Sequence, residues 1–301
     1  MNIKENFYCS KCMRELEDDD ICPFCGYDPA HPVSKKILEE GTLLQNGRYQ
    51  LGAILGAGGF GITYAAWDFT LNQPVAIKEY FPQMLADRDI WESNDIFTDE
   101  DNKTVYILGM QRFSREARVL STLQNIKNVV TVFDWFEANK TAYIVMEYVR
   151  GQTIDSYVAE HHTKPKELLA MFRDLIDSLI SIHAQGILHR DISPSNIMVE
   201  EDGSLKLIDF GASIAEQRRR EGLDRTVIFN RSFAPIEQYN ENGEQSARTD
   251  VYALSATLYY LLTKELPLES LVRSKKDSLK SLHSYHLGLK KWQERAIMEG
   301  M

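Results

Sequence analysis

The sequence predicts an α+β chain in three stretches: a small metal-organised segment, a strand-rich part with one helix, and a mainly helical part. Three observations predict it. All four cysteines lie between residues 9 and 25, and the 276 residues after Cys25 contain none. From Tyr49 onward, short apolar runs alternate with glycine and turn residues, as strands do. From Leu168 onward, apolar residues recur at helical spacing over longer stretches.

Composition narrows the class further. The chain has 301 residues, 44% of them hydrophobic and 26% charged. Those ordinary globular values exclude a wholly disordered chain, a collagen and a coiled-coil rod. The longest apolar stretch, residues 253–262, is broken by Ser255 and Thr257 and carries Tyr259 and Tyr260. It falls short of the roughly 18–20 residues a membrane span needs. The N-terminus, Met-Asn-Ile-Lys-Glu, has no apolar core, so no signal peptide and a cytoplasmic location are expected. A net charge of −10 argues against broad binding to nucleic acid or anionic membranes.

The N-terminal segment comes first. Cys9-x2-Cys12 and Cys22-x2-Cys25 are two CxxC turns close enough to serve one tetrahedral site. Gly26 lets the backbone curl round a ligand sulfur. Two disulfides or four free thiols are the competing readings. The chief apolar residues here are Phe7, Tyr8, Ile21, Phe24 and Tyr27, too few to fold so short a segment unaided. That favours metal, and a closed four-cysteine site makes it a structural Zn2+. Residues 1–28 resemble a short zinc ribbon, open to a protein partner. Residues 1–40 carry five Lys/Arg against nine Asp/Glu, without the basic patch nucleic-acid binding needs.

Residues 29–42, with Pro29 and Pro32, read as a linker. Residues 49–55 and 61–68 form a hairpin about a glycine cluster, and 74–78 a further strand. The stretch 82–111 is polar and reads as an irregular insertion. Phe113, Ala117, Leu120 and Leu123 mark a helix. Two more strands cover 129–137 and 142–149. A helix covers 168–183, two short strands cover 197–199 and 205–208 about the Asp202-Gly203 turn, and an apolar helix covers 250–262.

Gly56-Ala57-Gly58-Gly59-Phe60-Gly61 matches GxGxxG, where glycines let backbone N–H groups approach phosphate oxygens. It lies between two strands, not between a strand and a helix, which disfavours a dinucleotide fold; no GxxxxGK[ST] occurs. Residues further along the chain raise its weight. Val75-Ala76-Ile77-Lys78 comes next, then His189-Arg190-Asp191, Asn196, Asp209-Phe210-Gly211 and Ala234-Pro235-Ile236-Glu237, in that order. With these motifs, residues 43–301 resemble a protein kinase domain of the bacterial, eukaryotic-like serine/threonine type.

The resemblance implies a bilobal kinase fold, with an N-lobe over about 43–149 and a C-lobe over about 150–301. It also implies ATP and two Mg2+ ions as cofactors. Lys78 should hold the α- and β-phosphates, and Glu116 should pair with that lysine. Asp191 should orient the acceptor hydroxyl and take its proton, while Asn196 and Asp209 ligate Mg2+. Leu55, Gly56, Gly58, Gly59, Gly61 and Thr63 should line the nucleotide. Met146 stands at the gatekeeper position, with the backbones of Glu147 and Val149 toward adenine. Ala76 and Met198 should sandwich the ring.

Three departures from the family pattern stand out. Ser193 occupies the position where such kinases carry lysine, and its hydroxyl is expected to bond Asp191 and help fix its rotamer. Thr63 replaces the usual valine. The C-lobe looks incomplete at Met301, leaving Arg273 or Arg295 as alternative partners for Glu237. In the activation segment, Thr226 and Ser232 are candidate phosphorylation sites, with Arg190 as the receptor for a phosphate. The expected function is ATP-dependent phosphorylation of protein Ser/Thr hydroxyls, itself included, in bacterial signalling. The alternatives are a pseudokinase scaffold and a small-molecule kinase of the aminoglycoside type; the APE-like segment and full glycine loop disfavour the latter. Physiological substrate and oligomeric state stay open.

Overall fold

Short apolar-rich runs, buried along most of their length, build the first sheet. Its six antiparallel strands run in the order β1-β2-β3-β4-β6-β5. They are β1 Leu43–Leu44, β2 Tyr49–Ala57, β3 Gly61–Asp68, β4 Gln73–Tyr80, β5 Val132–Ala138 and β6 Thr141–Glu147. The computed structural model describes residues 8–16, 21–29, 34, 36–123, 126–210, 231–240 and 243–301. They fall into two compact units. Met1–Gln124 with Thr131–Tyr148 forms the first, and Asn125–Val130 with Val149–Met301 the second.

One helix, α1 (Glu100–Leu120), packs on β5 and β6 in the first unit. It begins well inside the stretch expected to be irregular. Its buried residues Tyr106, Gly109, Phe113, Ala117 and Leu120 recur every three or four positions. Gly109 hid the pattern: it is not counted as apolar, yet a Cβ there would lie 2.0 Å from the Tyr80 hydroxyl. Close helix–strand approach is the reason for glycine, and Glu100 and Asp101 suit the helix N-terminus.

The expected linker is not a free spacer. Leu38 is buried at 1% exposure. Its amide donates to the Tyr64 hydroxyl at 3.2 Å. The cysteine-bearing segment belongs to the same unit.

The second unit holds a three-stranded sheet, β7 Gly151–Thr153, β8 Ile197–Glu200 and β9 Leu205–Leu207. Its helices are α2 (Ile154–His161), α3 (Pro165–Ala184), α4 (Ala247–Thr263), the short α5 (Ser270–Arg273) and α6 (Lys291–Glu299). Helix α3 buries Leu168, Phe172, Leu175, Leu179 and Ile182 on one stripe. Helix α4 is buried almost all round, so it reads as a continuous apolar run. It starts three residues before the expected Asp250, because the Ser246 hydroxyl caps it, accepting from the Arg248 amide at 3.3 Å.

Candidate active site and metal centre

Strand register assembles the phosphate-facing half in the first unit. Gly56 pairs with Thr63, Thr63 with Lys78, and Lys78 with Ile144, making one row across four strands. Two residues further on, Ala65, Ala76 and Met146 form the next row on the same face. Lys78, Thr63, Ala76 and Met146 are therefore neighbours because of pairing, not chain proximity. Tyr80 shares that face, and its ring lies 5.6 Å from Phe113 on α1. Glu116 is one helical turn beyond Phe113, so packing brings it to the side of the sheet that carries Lys78.

The glycine loop divides by role. A Cβ on Gly56 or Gly58 would meet open space, whereas one on Gly61 would lie 2.5 Å from the Glu79 carbonyl oxygen. Gly61 thus serves packing, and Gly56 and Gly58 leave room for a ligand. The Gly58 amide donates to Gly61 O at 2.9 Å, closing the turn. Gln83, which sequence reasoning missed, ties the loop down: its side chain donates to Gly58 O at 3.1 Å and its amide to Gly59 O at 3.2 Å.

Leu55, near the end of β2, is exposed. At Glu147 the amide donates to Thr131 O at 2.8 Å, so that donor is taken. Val149 and Met198 fall in the second unit, where Met198 sits half-buried opposite Thr153 and Lys206.

In the second unit, Asn196 holds Asp191. The Asn196 Nδ2 donates to Asp191 O and to Asp191 Oδ2, each at 2.9 Å. Both bonds use the amide nitrogen, so the amide oxygen, the atom suited to a hard cation, lies outside them. Beneath them is Asp250, which sequence reasoning did not single out. Its Oδ2 accepts from His183 Nε2 at 2.7 Å and from the His189 amide at 2.9 Å; its Oδ1 accepts from the Arg190 amide at 2.7 Å. Burial pushes the Asp250 carboxyl up, but the His183 bond and the amides of Arg190 and His189 outweigh it and hold it below the usual range.

His189 spans the loop. Its Nδ1 accepts from the Asp191 amide at 3.2 Å and its Nε2 donates to Ile208 O at 3.1 Å. Asp209 comes directly after, with φ of 60° in the left-handed region. The Phe210 ring lies 4.3 Å from the His189 ring. Gly211 and Thr226 lie outside the described residues, and Ser232 is half-buried.

Two expectations change here. The Ser193 hydroxyl does not reach Asp191; it bonds Ser195 Oγ at 3.0 Å, and the residue is 1% exposed. Asn196, by contrast, does bond Asp191. Neither candidate arginine meets Glu237. Its Oε1 accepts the Thr249 hydroxyl at 2.8 Å, while Arg273 pairs with Asp277 at 2.9 Å and Arg295 with Glu299 at 3.6 Å.

The cysteines converge. Their four Sγ atoms lie within 4.8 Å of one another. Cys9–Cys25 and Cys12–Cys22 are each 3.6 Å apart, and all four are free thiols. A disulfide would need about 2.05 Å. A tetrahedral ion with bonds near 2.3 Å sets sulfurs about 3.8 Å apart, so the cluster fits zinc. The amides of Lys11 and Cys12 point at Cys9 Sγ at 3.4 Å. Burial pushes the Cys9 and Cys12 thiols up, whereas at Cys22 the Phe24 and Cys25 amides outweigh burial and bring the thiol to about 7; a bound cation would have to draw the protons from the other two.

The protein kinase domain family matches residues 49–296. The chain belongs to that family, and its fold is the kinase fold. The kinase family implies ATP and Mg2+. Among its relatives, serine/threonine-protein kinase PrkC of Bacillus subtilis is 32% identical over 225 residues, 74% of this chain and 32% of that protein. Serine/threonine-protein kinase B of Synechocystis is 32% identical over 263 residues, 83% of this chain and 42% of that protein. The solved structure titled "PpkA-294 apo form" superposes with a TM-score of 0.76 at 31% identity, covering 88% of this chain and 92% of that one. The chain spans about a third to a half of the length of the curated relatives it matches.

Proposed function

We propose that the chain is a catalytically competent protein kinase that transfers the γ-phosphate of ATP to Ser/Thr hydroxyls of proteins, its own included, in bacterial signalling. The observation that carries this reading is the pair of hydrogen bonds that Asn196 Nδ2 donates to Asp191 O and Oδ2, seated on the Asp250 anchor. Such a loop needs no rearrangement to present a carboxylate. Asp191 accepts the proton of the acceptor hydroxyl, whose oxygen attacks the γ-phosphorus as the bond to ADP breaks. Lys78, positioned by Glu116, neutralises the α- and β-phosphates. The residues that would hold the two Mg2+ ions are Asn196 and Asp209, and ions held there would supply positive charge against the phosphates.

Leu55, Gly56, Gly58, Gly59, Gly61, Thr63, Ala76, Met146, Glu147, Val149 and Met198 form the remainder of the nucleotide site in this reading. Cys9, Cys12, Cys22 and Cys25 hold a structural zinc. One observation favours the second reading, a pseudokinase scaffold: Ser193 is buried and brings no charge where the family carries lysine. Consumption of Mg·ATP with casein as acceptor separates the two. Wild type should phosphorylate casein and Asp191→Asn should lose at least about a hundredfold, with nucleotide binding retained. Equal rates for both proteins would defeat the assignment.

A further inference from the structure

The cysteine-bearing segment is seated on the sheet, and its seat is specific. In β2 the register passes from Leu51 opposite Ala66 to Ile54 opposite Tyr64, so one extra residue bulges at Gly52–Ala53. A bulge turns a ladder amide outward. Here the Ala53 amide donates to Ser10 O at 2.7 Å. Gly52 has no room for a side chain: a Cβ would lie 2.1 Å from Ser10 O and 2.7 Å from Met13 Cε. Met13 is 1% exposed and packs on Ala65, with Tyr8, Trp67 and Tyr148 around it. The Tyr148 hydroxyl donates to Lys11 O at 2.8 Å.

These contacts converge on the adenine-directed strands. Tyr148 directly follows Met146 and Glu147, Ala53 lies two residues before Leu55, and Ala65 pairs with Ala76. Ser10 O, Lys11 O and Met13 all belong to the turn that starts at Cys9, where the Met13 amide donates to Cys9 O at 3.0 Å; Tyr8, just before it, lies on Trp67 at 5.1 Å. Met13 itself has φ of 57°, a conformation a non-glycine residue keeps only when its surroundings impose it. Its packing on Ala65 and its amide bond to Cys9 O hold it there, and four thiolates on one ion would keep the turn closed, whereas a free segment of this length does not stay ordered.

We propose that the metal-held turn, residues 9–13, is a positioning element of the nucleotide site. It fixes β2 through Ala53 and the strand end through Tyr148, so nucleotide affinity depends on zinc bound about the four cysteines. The proposal rests on the nucleotide-site reading above and adds its dependence on the metal.

The test uses the full chain in three forms: zinc-loaded, zinc-stripped, and Gly52→Ala with zinc retained. Gly52→Ala leaves every thiol in place but drives a methyl group into Ser10 and Met13. Mg·ADP affinity is read by calorimetry, with circular dichroism to verify the fold and hydrogen exchange at the Ala53 amide as a second readout. Stripping and Gly52→Ala should each weaken Mg·ADP about fivefold or more, the worth of one lost hydrogen bond, and speed exchange at Ala53. Unchanged affinity in both would overturn the proposal. Absence of Mg·ADP binding by the zinc-loaded protein would instead remove the nucleotide-site reading. Exchange at Ala53 then decides the seat alone: faster on stripping supports it, unchanged overturns it.

Discussion

At the scale of single residues, Asp250 does the most with one side chain. One buried carboxylate receives two backbone amides and one imidazole, and so sets the turn on which Asp191 stands. Its folded value lies below the unfolded carboxyl value. The stability it contributes is therefore present above the unfolded value, near pH 4, and is lost as pH falls through the folded value. Acid titration followed by near-ultraviolet circular dichroism should show this loss below about pH 4. Asp250→Asn should weaken that pH dependence and cost about 1–3 kcal/mol at neutral pH, since an amide cannot accept all three bonds. Ser193 teaches the opposite lesson. The sequence placed it beside Asp191, but its hydroxyl turns to Ser195, because a short side chain bonds the nearest partner.

Among the elements, β4 carries two chemistries on its two faces. Lys78 points to the row with Thr63 and Ala76, and Glu79 to the opposite face. There Glu79 is ion-paired with Arg88, both fully buried. Glu79 Oε1 accepts from Tyr143 at 2.6 Å and Oε2 from Tyr64 at 3.2 Å. Burial, then the Glu79 charge, pushes both phenols up. Arg88 also donates to Lys36 O at 3.3 Å, tying residues 36–38 to the sheet. Arg88→Met should cost about 3–5 kcal/mol in urea unfolding, because it strands a buried carboxylate. Glu79→Leu combined with Arg88→Met should recover most of that loss. An equal loss in the double variant would assign the effect to packing instead. None of this was legible: Arg88 lies in a stretch read as irregular, and no local pattern marks a charge pair that closes only through tertiary contact.

For the whole molecule, the cysteine segment and residues 36–44 are part of the first unit. Deleting residues 1–28 removes Met13 from its seat and should cost the first unit about 2–5 kcal/mol, read by denaturant unfolding. A tethered, separate ribbon would leave the midpoint unchanged. Among the described residues, no helix is long and apolar enough to cross a membrane.

Whatever depends only on residue type and order could be read before the fold was known. The kinase motifs were legible because phosphate and metal chemistry admits few side chains, and the order Lys78, Asp191, Asn196, Asp209 is local text. The four-cysteine site was legible from spacing alone, since two CxxC turns this close can share one ion. Most strands and the long helices were legible from periodicity, which is a short-range property. Tertiary structure alone decided the rest: the start of α1, hidden by Gly109; the Asp250 anchor, 59 residues after Asp191; the pairing of Glu79 with Arg88; and the seat of Met13 on Ala65. Each joins groups distant along the chain. Distance in sequence leaves no periodic trace, and a glycine or a buried charge takes its meaning from what packs against it.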